Sequence, residues 1–131
     1  MVLDTSALLV ILLGEPESAE FREVIEMDPV RLLSAASFLE TAIIVETRFG
    51  EPGGRELDLL MHKAAIQVVS VDAEQVEVAR HAYRLFGKGR HPAGLNYGDC
   101  FSYALSRVSG EPLLFKGEDF QRTDVRSVTA V

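Results

Sequence analysis

With one cysteine, Cys100, in 131 residues, this chain cannot close an internal disulfide. Its three histidines form no Cys/His cluster at zinc spacing, so a structural zinc site is excluded and a reducing compartment, the cytoplasm, is expected. Long apolar runs are missing as well. The stretch Ala7 to Leu13 falls far short of the roughly 20 residues a membrane span needs. The N-terminus carries Asp4 where a secretory signal would carry basic residues, so no membrane association is expected. Positive charge is scarce: 13 Lys and Arg face 20 Asp and Glu, for a net charge of −7. That balance excludes nucleic-acid binding by bulk basicity, and any polyanionic partner would need a local basic patch or bound cations. There is no repeat, low-complexity tract or linker long enough to divide the chain, so residues 1–131 read as a single domain.

What is present suits a packed core, with 47% apolar and 25% charged residues. Residues 2–4 read as a short strand, followed by a helix from Ser6 to Leu13 that stops at Gly14. Pro16 fits a first helical turn, and Phe21, Val24, Ile25 and Met27 give the next helix its apolar face. "RLLSA" (31–35) is a second strand candidate. Ser37 and Glu40 have capping-box spacing for a helix over Phe38 to Phe49, closed by Gly50. A helix from Arg55 to Ala65, a strand "IQVVSV" (66–71), and a helix capped by Asp72 and Gln75 follow. Residues 87–97 read as a loop, Asp99 to Val108 as a helix, "PLLF" (112–115) as a fourth strand and "VRSVTAV" as a candidate fifth at the edge. Strands alternating with helices predict a parallel sheet covered on both faces, with its site outside the carboxyl ends of the strands.

Asp4 falls at such a strand end. Asp99 opens a helix after the glycine-rich loop, and Glu118 and Asp119 closely follow the fourth strand, so these acids can share one edge. Glu40 has Ser37, Ile43 and Ile44 as helix neighbours and lies beside an apolar stripe. Each also has a local explanation: Asp4 as a helix cap, Asp99 as a first-turn acid favoured by the helix dipole, Glu40 as the third residue of its capping box. Together these explanations weaken, because Thr5 and Ser6 are available as caps and Asp119 is covered by none. Two unit charges ~4 Å apart repel by about 4 kcal/mol at an effective dielectric of 20. No buried Arg or Lys is evident in these motifs to offset that, whereas a hard divalent cation takes oxygen ligands. A Mg²⁺ or Mn²⁺ site is expected.

The motifs "MVLDTSALL", "SFLETAIIVE", "GLNYGDCFSYALS" and "PLLFKGEDF" resemble, in order and over essentially the whole chain, the acidic motifs of PIN-domain ribonucleases, most closely the VapC toxins of toxin–antitoxin pairs. The resemblance implies a PIN-like three-layer sandwich with a short, mostly parallel sheet of 4–5 strands. It implies catalytic roles for Asp4, Glu40, Asp99 and Asp119, the first three as metal ligands. Thr5 and Ser6 would support the first carboxylate through their hydroxyls. Lys116 stands where many members carry Asn or Asp, which leaves the fourth acid between Asp119 and Glu118, with Asp119 favoured because it precedes Phe120. The implied activity is a Mg²⁺- or Mn²⁺-dependent endoribonuclease that leaves a 5′-phosphate and a 3′-hydroxyl. A homodimer neutralised by a VapB-like antitoxin is implied too.

The loop before Asp99 answers the acidic net charge. Arg84, Lys88, Arg90 and His91 gather positive charge there, and Tyr83, Phe86 and Tyr97 could stack RNA bases. Equally, Tyr83 and Phe86 could be core residues and the basic residues a solvated loop. Residues 6–13 and 38–49 hold more apolar side chains than one narrow stripe needs, which suits a partner face or a thick core. Two rivals remain: a catalytically silent binding module on the same fold, and a phosphoacceptor receiver domain using Asp4, Asp72 and Lys116.

Overall fold

The computed structural model describes residues 1–128. In chain order the elements are β1 (Val2–Leu3), α1 (Thr5–Leu12), α2 (Ser18–Met27), β2 (Leu32–Ser34), α3 (Ala35–Phe49), α4 (Glu51–Lys63), β3 (Gln67–Val69), α5 (Ala73–Phe86), α6 (Tyr97–Ser109) and β4 (Leu113–Leu114), followed by a short 3₁₀ turn at Phe120–Arg122. The strands form one sheet in the order β3-β2-β1-β4, and every pairing is parallel.

Strand alternation builds the layers. Leu3, Leu33 and Leu114 point to one face and join Ala7, Leu8, Val24, Ile25, Val45 and Leu57, which come from α1 to α4. Val2 and Leu113 point to the other and join Ala79, Ala82, Tyr103, Ala104 and Leu105 from α5 and α6. Successive strand residues are thus buried on opposite faces, as a two-sided parallel sheet requires. Each such fully buried Leu or Val contributes about 1.5–3 kcal/mol of transfer free energy.

Several boundaries differ from the sequence reading. β2 runs straight into α3, and Ser34 is the cap, its Oγ accepting from the backbone N of Ala36 at 3.3 Å. Ser37 and Glu40 therefore form no capping box; Ser37 lies a turn inside the helix, buried. α4 starts four residues earlier than expected, at Glu51, because Pro52 occupies a first-turn position where its missing N–H costs nothing. α6 starts at Tyr97 behind the cap Asn96. The expected edge strand is reduced, among the described residues, to a parallel bridge between Leu113 and Ser127, and residues 129–131 lie outside the described part. The apolar excess of α1 is core, since Ala7, Leu8, Val10 and Ile11 are all buried. On α3, by contrast, Leu39, Ile43 and Phe49 remain exposed. No described helix is long and apolar enough to cross a membrane.

Candidate active site

The strand order places a switch point between β1 and β4: the chain leaves β1 towards β2 and β3, then returns on the other side as β4. Open α/β sheets leave a crevice there. Asp4 follows β1 directly, and its backbone N–H donates to the carbonyl of Leu114 at 3.0 Å. At 5% exposure its carboxylate needs donors, and it has three. Ser6 donates to Oδ2 from its backbone N at 3.0 Å and from Oγ at 2.6 Å, and Ser102 donates from Oγ to Oδ1 at 2.6 Å. The hydroxyl contacts have the length of charge-assisted bonds. Asp4 is therefore both the cap of α1 and the innermost acid of the site.

Glu40 projects from α3 towards the same edge. Its Oε1 accepts a 2.6 Å hydrogen bond from Thr5 Oγ1, which also lies 3.4 Å from the Ser37 carbonyl. The two hydroxyls after Asp4 are thus divided: Ser6 serves Asp4 as expected, while Thr5 turns to Glu40. Glu40 also presses against the start of α6, where a Cβ on Gly98 would stand 2.4 Å from Glu40 Oε2.

Asp99 is the third residue of α6 and closes a reciprocal capping box, accepting from Asn96 N at 2.9 Å while its own N donates to Asn96 Oδ1 at 2.9 Å. Burial pushes its carboxyl up to about 6, against the pull of the Asn96 hydrogen bond and with the fields of Asp4, Asp119 and Glu40 adding to the rise. Three of the acids that the sequence singled out, Asp4, Glu40 and Asp119, therefore act on the fourth, Asp99. Glu118 instead approaches Arg122 at 3.5 Å.

The sign of this shift gives a prediction. Between the ordinary value of 3.8 and about 6, the folded chain binds the Asp99 proton more tightly than the unfolded chain does. Stability is therefore lost as pH rises through that window and stays reduced above it. In EDTA, Asp99→Asn should melt above the parent at pH 7.5 and with it near pH 4. The difference is on the order of 1 kcal/mol after discounting for solvent screening, or a few degrees, readable by thermal unfolding at the two pH values.

Among the described residues no Lys or Arg side chain forms an ion pair with Asp4, Glu40, Asp99 or Asp119. Lys116 is turned away, its ammonium held by Glu15 and, at 3.0 Å, by Glu17, while its backbone N donates to Ser6 Oγ at 3.0 Å. Nor do three Asp, Glu, His or Cys side chains converge, among the described residues, into a ready-made metal cage, because the inner acids are turned onto protein donors. What the edge offers a hard divalent cation is oxygen donors and an unbalanced negative field, and the donor chemistry fits.

The residues expected at an RNA-facing rim lie in two settings. Arg84, Lys88 and Arg90 are exposed, with the Arg90 guanidinium 5.8 Å from the Tyr83 ring centroid. Tyr97 is 80% exposed and meets Phe101 edge-on. Phe86 is a packing residue against Tyr103 and His91, and His91 Nδ1 accepts from Ala93 N within its own loop. Tyr83, Tyr97, Phe101, Arg80 and Arg84 line a cleft of about 790 Å³ together with Val71, Val76, Ala79 and Cys100. The receiver arrangement is not formed: Asp72 is occupied in capping α5 at 2.9 Å from Gln75 N, and Lys116 is clamped elsewhere. The sequence reading missed Ser102, Asn96 and Gly98; their signal was the helical spacing of Ser102 from Asp99 and the Asn-x-x-Asp capping pattern.

Comparison with known proteins gives one direction. The model of the PIN domain matches residues 1–126. The chain is 62% identical over 128 residues to ribonuclease VapC30 of Mycobacterium tuberculosis, covering 98% of both chains. Among solved structures it resembles M. tuberculosis VapC20, described as a sarcin–ricin-loop-cleaving toxin, with a TM-score of 0.77 at 19% identity over 97% of each chain. It also resembles a chain of the VapBC2 complex of Rickettsia felis, with a TM-score of 0.76 at 14% identity over 98% of this chain and 96% of that one.

Proposed function

This chain belongs to the PIN-domain family, and from that premise we propose that it is the ribonuclease toxin of a type II toxin–antitoxin pair, cutting RNA with a divalent cation at the sheet edge that carries Asp4, Glu40, Asp99 and Asp119. One observation carries the reading: Asp4 at the end of β1, Glu40 bonded to Thr5 and packed against Gly98, and Asp99 next to that glycine share the sheet's switch point. A relative that is 62% identical over nearly the whole chain supplies the reaction class.

Asp4, Glu40 and Asp99 would hold Mg²⁺ or Mn²⁺, with Asp119 as the fourth acid. When bound, such an ion makes water nucleophilic at neutral pH and neutralises charge building on the departing oxygen. The chain's own residues orient the ligands: Ser6 and Ser102 fix Asp4, and Thr5 fixes Glu40. Asp99 gains most from a cation, since it carries the field of three other acids, and cation binding is thereby linked to its proton release. Arg84, Lys88 and Arg90 gather the RNA strand, and Tyr83 and Tyr97 offer rings to unpaired bases. The products are a 5′-phosphate and a 3′-hydroxyl, and loss of the cut RNA halts translation and growth.

The Rickettsia felis chain of the same fold was solved within a VapBC complex, which supports a VapB-like antitoxin as partner here. Exposed Leu39 and Ile43, one turn apart on α3 next to Glu40, offer apolar surface for that antitoxin or for a second copy in a homodimer.

The test is incubation of antitoxin-free protein with total cellular RNA in Mg²⁺, in Mn²⁺ and in EDTA. Discrete cleavage is expected with either ion, none in EDTA, and recovery when the ion is returned. Cleavage that persists in EDTA, or no cleavage of any RNA, would overturn the reading, the latter in favour of a binding module.

A further inference from the structure

We propose that Ser102, a residue of α6 with no acidic chemistry of its own, is the positioning residue that sets the orientation of the Asp4 carboxylate for cation binding. The inference rests on the cation-dependent reading of this site and deepens it.

Ser102 is fully buried and one helical turn beyond Asp99, so the same face of α6 presents both residues to the edge. Its Oγ donates to Asp4 Oδ1 at 2.6 Å, across 98 residues of sequence. A hydroxyl has one proton to give, and this one is committed to the carboxylate. The second neighbour of Ser102 is Ser37 Oγ, at 3.3 Å on α3. With the Ser102 proton used on Asp4, Ser37 is the donor in that contact, which fixes the Ser102 hydroxyl in its rotamer. On the other oxygen, Ser6 Oγ donates to Asp4 Oδ2 while accepting from Lys116 N at 3.0 Å.

The result is a hydrogen-bonded line, Ser37 to Ser102 to Asp4 to Ser6 to the backbone of Lys116, that ties α3, α6, α1 and the segment after β4 together. It grips both oxygens of Asp4: Oδ2 takes two donors and Oδ1 takes one, which leaves an acceptor position on Oδ1 that a cation could use. Partners that orient a ligating carboxylate in this way typically change metal affinity roughly 10- to 100-fold when removed. A purely structural serine would change melting temperature and leave cation affinity alone.

The experiment measures Mn²⁺ binding to the whole chain by the loss of the free-ion paramagnetic resonance signal at pH 7.5. It compares the parent with Ser102→Ala, Ser102→Cys, Asp4→Asn and the Asp4→Asn/Ser102→Ala pair. Ser102→Cys keeps the volume nearly constant and guards against a packing defect in the alanine variant. Ser102→Ala should weaken Mn²⁺ binding on the order of 10- to 100-fold, because the Asp4 carboxylate has lost a donor that orients it. Ser102→Cys should weaken it by less, and Ser102→Ala should cost nothing further once Asp4 is Asn. Unchanged affinity in both folded serine variants, with Asp4→Asn still weakened, would overturn the role of Ser102 alone. Unchanged affinity in Asp4→Asn would overturn the cation reading and this inference with it.

Discussion

Asp4→Asn should reduce RNA cleavage on the order of 10³-fold or more while leaving a folded protein. The structure explains why both halves hold. An Asn at this position keeps one oxygen to accept from Ser6 N and Ser6 Oγ, so the cap of α1 survives. Its amide takes the place of Oδ1 and donates to Ser102, whose hydroxyl turns its proton to Ser37, 3.3 Å away. Each of these heavy atoms keeps a hydrogen-bond partner, so the stability cost stays modest. What disappears is the negative charge at the most buried acid of the edge, and with it the strongest reason for a divalent cation to settle there. Circular dichroism and a melting curve check the fold, and a cleavage assay checks the loss.

Gly98→Ala should separate activity from stability in another way. Its added Cβ would stand 2.4 Å from Glu40 Oε2 and 3.0 Å from Glu40 Cδ. Alanine favours a helix over glycine by up to ~1 kcal/mol, which offsets the hydrogen bond that a displaced Glu40 loses, so melting temperature should change little. Glu40 cannot move without breaking its 2.6 Å bond from Thr5 and leaving the other acids. Cleavage should therefore fall roughly 10- to 100-fold, the range seen when groups supporting a metal site are displaced. Equal activity in a folded Gly98→Ala protein would mean that Glu40 has no part in the reaction.

Residue patterns told the order of strands and helices and the placement of Asp4 at a strand end, because both follow from local periodicity and from the rule for parallel sheets. Helix starts were less legible. Ser37 and Glu40 have the spacing of a capping box, but β2 enters α3 without a loop, and Ser34 reaches the free N–H first. Asp99 looked like the opening of its helix because it is the third residue of a capping box whose cap, Asn96, also passes for a loop residue. The pairings that shape the site were not legible. Thr5 finds Glu40 at a separation of 35 residues and Ser102 finds Asp4 at 98, and no local pattern encodes either meeting. The apolar excess of α1 and α3 read alike in sequence; only packing against the sheet shows that α1 is interior while Leu39 and Ile43 of α3 face outward.

The most direct test is the single-turnover rate of RNA cleavage as a function of Mn²⁺ concentration at pH 7.5, for the parent protein beside Asp99→Asn. Asn keeps the bond from Asn96 but removes the charge on which the fields of Asp4, Asp119 and Glu40 converge. The predicted result is a saturating curve for the parent, and for Asp99→Asn a lower maximum that needs more Mn²⁺ to approach. Superimposable curves for the two proteins would contradict a cation held among these acids.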